Sequence, residues 1–156
     1  MRENLFKAKK WDNGEWIEGY FVKIKDVTEH NLILTGELSK GAYTDFIGYE
    51  VDPETLCRFS RLTDKNSKEI WENDILMCHG NPEELVKAVF GEFGVRNIET
   101  GTVVDKAIGW HYEVIPTDEI SRCEPFCYSM PLTEEYIKRC EMEVVDNPEL
   151  LQEIKR

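Results

Sequence analysis

Three turn signals crowd the stretch from Asp52 to Asp74 and limit everything between them to short strands. Asp52-Pro53 is the first, "LTDKNSKE" from Leu62 to Glu69 the second, and Glu72-Asn73 the third. Asp, Asn and Ser bond their own backbone, and Pro presets φ, so each favours a reversal. The apolar runs left over, "EIW" and "DILM", are too short for helices and suit a meander or small barrel.

Other segments agree. In "KKWDNGEWIEGYFVK", Asn13 and Gly14 can both adopt positive φ, which predicts a tight two-residue hairpin turn. After it, Trp16, Glu18, Tyr20 and Val22 fall on one face and Ile17, Gly19, Phe21 and Lys23 on the other, with Trp16 and Phe21 expected in the core. "NLILT" and "TDFIGYEV" read as strands around a loop, "GELSKGAY". "NPEELVKAVFGEF" is ambiguous: Asn81 and Pro82 could open a helix, but the β-branched and aromatic end favours a strand over residues 81–90. In "AIGWHYEVI", Ile108, Trp110, Tyr112 and Val114 alternate with Gly109, His111, Glu113 and Ile115, so His111 is expected to face solvent or a partner. The tail predicts two short helices, one capped by Thr133, the other by Asn147 with Leu150, Leu151 and Ile154 on a stripe. The fold class is therefore mainly β with minor α. A division into residues 1–58 and 59–156, or a single compact unit, fits the turn cluster.

With 31 acidic against 19 basic residues, the formal charge is −12. That balance argues against nucleic-acid binding, which rests on Lys and Arg. No stretch approaches the roughly 20 apolar residues of a membrane helix, the start lacks a signal-peptide core, and five scattered cysteines suit reduced thiols, so a cytoplasmic protein is expected.

The segment "DPETLCRFSRLTDKNSKEIWENDIL" resembles the signature of the YopX family of phage and prophage proteins, in which "PET" precedes "DKNG" and an "I-[YW]-E-G-D" turn. The matching positions are Pro53, Glu54, Thr55, Asp64, Lys65, Asn66, Ile70, Trp71, Glu72, Asp74 and Ile75. "VVDNPELL", from Val144, is similar to the second half of the family's closing motif. Ser67 and Asn73 stand where that pattern has glycine, so any positive-φ turn there falls to less permissive residues. The resemblance implies a mainly β fold with an SH3-like barrel element, a bacterial host setting, and no reaction.

No catalytic, cofactor or metal set emerges from the residues. Cys123 and Cys127 are a loose C-x3-C pair, with Cys78, His79, His111 and Cys140 elsewhere, short of a zinc site. Glu54, Glu69, Glu72 and Asp74 are the candidates for carboxylate chemistry, against which stand ordinary turn and strand-start roles for the same residues. The aromatic surplus names Trp11, Trp110 and Tyr112 as interface candidates. The favoured function is a non-catalytic protein-interaction module, acting on a protein partner or as a homo-oligomer. The alternatives are an acidic nucleic-acid mimic that blocks a host DNA-binding protein, and a carboxylate-dependent hydrolase.

Overall fold

The computed structural model describes residues 5–38 and 44–146. The chain separates into two compact units, Met1–Phe59 and Ser60–Arg156. Both are built on antiparallel strands, as the sequence leads one to expect.

The first unit contains β1 (Phe6–Lys9), β2 (Trp16–Lys25), β3 (Glu29–Leu38) and β4 (Thr44–Glu50), and the start of β5 (Cys57–Thr63). Their order is β4-β3-β2-β1-β5. One face is closed by Ala8, Ile33 and Val51, with Phe6, Ile17 and Phe21 packed against them. The β1–β2 hairpin forms at Asn13-Gly14, but its turn is longer than two residues. Lys10 N–H donates to the Glu15 carbonyl at 2.9 Å, only Gly14 has positive φ (72°), and the Asn13 side chain instead accepts from Glu15 N–H at 2.9 Å. Trp16 departs from expectation: it is 50% exposed, on the face opposite Phe21, with the ammonium groups of Lys7 and Lys9 lying 5.0 and 5.3 Å from its ring centre. Ile17 and Phe21 pack on the core, leaving Trp16 and Tyr20 outside, and on the same inner face only glycine fits at position 19, where a side chain would strike the Leu34 carbonyl.

In the second unit β5 continues beside β6 (Glu69–Trp71). A further sheet follows the order β10-β9-β8-β7-β11, formed by β7 (Ile75–Met77), β8 (Leu85–Arg96), β9 (Val103–Ile115), β10 (Met130–Pro131) and β11 (Glu143–Val144). Among the described residues, the strand order does not close into a barrel. Residues 81–84 form a turn closed by Glu84 N–H on the Asn81 carbonyl at 3.0 Å, and the strand reading holds from Leu85 onward. Helix α1 (Glu134–Arg139) is capped by Thr133, whose hydroxyl accepts from Tyr136 N–H at 3.2 Å, with acids in its first turn and bases in its last. The second expected helix, at residues 147–156, lies outside the described residues, as does most of the expected loop at residues 39–43.

The β8–β9 hairpin is coiled. From Tyr112, which pairs with Met130, back to Val103 an extended strand covers roughly 30 Å. Yet Tyr128, two residues from Met130, lies against the hairpin's tip: the Arg96 guanidinium is 4.6 Å from its ring centre, and a side chain at Gly101 (φ 72°) would collide with its hydroxyl. Only a hairpin that curls back permits this. Gly91 and Gly109 pair across the bend, and Phe93 leans over them to stack on His111 at 4.7 Å. His111 is consequently 2% exposed rather than facing solvent.

Among the described residues, five non-glycines have positive φ, including Ser67 (64°) and Asn73 (72°), the two positions where the family pattern carries glycine. Asn tolerates this region; Ser does so at a cost. Ser67→Gly should therefore raise stability by about 1 kcal/mol, Asn73→Gly should change it by about 0.3 kcal/mol or less, and Ser67→Val should lower it. Urea denaturation of the three variants checks this, and a destabilising Ser67→Gly would contradict the turn geometry.

Candidate functional site

Two places concentrate the informative residues: the signature stretch and a groove in the second unit. In the signature, carboxylates point at backbone amides. Asp52 opens the Pro53–Thr55 turn by accepting from Glu54 N–H at 3.0 Å. The Thr55 hydroxyl donates to the Asp52 carbonyl at 2.7 Å and accepts from Lys9 N–H at 2.8 Å, fastening the turn to β1. Glu54 stays on the exposed surface.

Asp64 is 6% exposed and satisfies three amides. One oxygen accepts from Asn66 N–H at 2.8 Å and Lys68 N–H at 2.9 Å, and the other from Val144 N–H at 2.9 Å. The turn thus holds β11. Around it, Lys65 and Asn66 each reach Glu143 at 3.3 Å. Asp74 accepts from Trp71 N–H at 2.8 Å, and the two-way bonding of Asn73 N–H to the Ala88 carbonyl and Ala88 N–H to the Asp74 carbonyl seats that turn on β8. Ile70 and Trp71 are buried, Glu72 is half-buried at the turn, and Ile75 pairs with Lys87.

The interface candidates are not alike. Trp11 is 63% exposed in the first unit. Trp110 and Tyr112 pack against the core of the second unit, Trp110 edge-on to Phe90 at 5.6 Å and Tyr112 to Tyr136 at 6.1 Å. Alternation along β9 identified their shared face, but which face would be covered depends on strands distant in sequence.

The groove, about 590 Å³, went unread in the sequence. Its floor comes from Cys78, Val86 and Met142, and its walls from Tyr112, Val114 and Met130. Ile120 and Phe126 sit at its rim, each 62% exposed. The run "EISRCEPFCYSM", apolar side chains scattered among turn formers, was the only sequence signal for it. Glu54, Glu72 and Asp74 are not among the lining residues, so the candidate carboxylates do not meet there. Among the described residues, no cluster of three or more His, Cys, Asp or Glu side chains could hold a metal ion. Cys123 and Cys127 form a turn, Cys127 N–H donating to the Cys123 carbonyl at 3.1 Å.

Burial dominates the groove's titration chemistry. It pushes the Cys78 thiol up to about 12, helped by the nearby Cys140 and Glu84, and it raises Cys140 and Tyr112 as well. These groups are neutral at physiological pH and make poor nucleophiles. The folded state holds the Cys78 proton more tightly than the unfolded chain, whose thiol has the ordinary value of 9.0. Stability present below pH 9 is therefore lost progressively as pH rises toward about 12. Denaturation midpoints should fall across that window, and Cys78→Ala should flatten the fall; an unchanged pH profile in the variant would contradict the assignment.

A model of the YopX protein family matches residues 5–152. No curated protein and no solved structure matches the chain. The match covers both the turn signature around Asp64 and the groove-forming strands of the second unit, and on it the chain belongs to the YopX protein family.

Proposed function

We propose that this chain is a phage- or prophage-encoded accessory protein that binds a protein partner without catalysis, through the groove of its second unit. The observation that carries the reading is the groove's chemistry: an apolar floor, neutral thiols, and two large apolar side chains, Ile120 and Phe126, left exposed at the rim. Concave apolar surfaces with exposed anchors are where protein partners gain affinity. The hydrolase reading is weaker, because its candidates Glu54, Glu72 and Asp74 do not line the groove and Asp74 is engaged by the Trp71 amide. The mimic reading is weaker because exposed acids are interleaved with bases, as in Lys23–Glu29, Lys106–Glu92 and Arg139–Glu135. A duplex mimic needs uninterrupted negative charge.

Site-specific photo-crosslinking in the bacterial host tests this. A photoreactive residue at Phe126 or Ile120 should give one discrete crosslinked product, while the same residue at Val27, 99% exposed in the first unit, should not. Equal products from all three positions, or none from the groove, would remove the reading.

A further inference from the structure

The groove's charged lining is mainly acidic. Glu83, Glu84 and Asp118 line it together with His79, and neither Lys nor Arg is among the lining residues, the Arg96 guanidinium lying over the Tyr128 ring. Asp118 is engaged locally, accepting from Ser121 N–H at 2.7 Å. Glu84 touches only the Asn81 side-chain amide, at 3.3 Å, and the Glu83 carboxylate has no partner among the described residues. Two other exposed carboxylates in this unit do carry a cation, Glu135 with Arg139 at 2.7 Å and Glu92 with Lys106 at 3.4 Å. Two rim carboxylates without a cation thus stand over an apolar floor, beside exposed Phe126 and Ile120.

We infer that the groove receives a polypeptide segment that carries a large apolar side chain next to Lys or Arg. This rests on the protein-binding reading above and names the partner's chemistry. The apolar side chain enters between Val114, Met130 and the floor. The neighbouring Lys or Arg lays its methylene stem along exposed Phe126 and places its head at Glu83 and Glu84. Charge complementarity at the rim selects the partner and speeds encounter, while the apolar contact supplies most of the affinity. A free organic cation would have no use for the exposed Ile120 and Phe126, which extend the apolar surface beyond the concavity.

The test uses fluorescence anisotropy with a short labelled peptide of Leu, Phe and Lys, and two counterparts with Glu for Lys or Ser for Leu and Phe. The first should bind, with both counterparts weaker by about tenfold or more. The double variant Glu83→Gln/Glu84→Gln should weaken the first peptide by about tenfold, and Glu15→Gln/Glu54→Gln, an equal charge change in the first unit, should leave it unaltered. Circular dichroism confirms that both variants fold. Equal weakening by the two double variants would reduce the effect to net charge and overturn the proposal. So would equal binding of the Glu peptide, no binding of any peptide, or complete competition by tetrabutylammonium. Persistence of the Phe126 crosslink in Glu83→Gln/Glu84→Gln cells, with peptide binding insensitive to charge, would remove the cationic partner while leaving protein binding standing. Loss of the crosslink from the parent protein would remove both.

Discussion

The buried carboxylate of Asp64 is the interaction on which the second unit depends. Its two oxygens satisfy amides at Asn66 and Lys68 on one side and Val144 on the other, so a single side chain shapes a turn and holds a strand from the end of the chain's described part. Charge-assisted bonds of this kind are worth about 1.5–3 kcal/mol each. The attachment sets the register of β11 on β7, Glu143 opposite Met77 and Val144 opposite Leu76. Val145 N–H then donates to the Ile75 carbonyl at 2.8 Å, and Lys65 N–H to the Met142 carbonyl at 3.0 Å. Met142, fully buried between these anchors, is part of the groove floor. The acidic signature and the groove are thus linked by structure: the first positions part of the floor of the second.

Much of this was legible from the residues because turns are local. Asp52-Pro53, Asp64-Asn66 and Asn73-Asp74 carry their own hydrogen-bonding chemistry, and each forms a turn where its side chain meets an amide a few positions on. Thr133 capped its helix for the same reason. What failed was what depends on distant partners. Trp16 and Phe21 both looked like core, but only Phe21 packs on Ala8, Ile33 and Val51, while Trp16 lies outside. His111 followed the alternation of its strand and should have been outside; the ring of Phe93, four positions beyond its cross-strand partner Val89, stacks on it and it is buried instead. The barrel suggested by the family resemblance is expressed, among the described residues, as an open sheet with a coiled hairpin, a difference of hydrogen-bond closure that no local motif records.

The groove shows the same limit more sharply. Its floor and walls come from residues 78–86, 112–114, 118–130 and 140–142, which converge only once the β7–β8–β9 ladder and the return of α1 are in place. The thiols of Cys78 and Cys140, expected from the sequence to be ordinary reduced thiols, are free and neutral in the fold and line the groove. The acidity first suggested a site in the signature, whereas the groove's own acidic rim is at Glu83 and Glu84.

Residue-resolved hydrogen exchange on the protein and on Asp64→Ala tests most directly whether one carboxylate joins the turn to the closing strand. The account predicts that the amides of Asn66, Lys68 and Val144 are protected in the parent and lose protection together in the variant, with Val145 following them. Val144 remaining protected after Asp64 is removed, or the three amides exchanging independently, would contradict it.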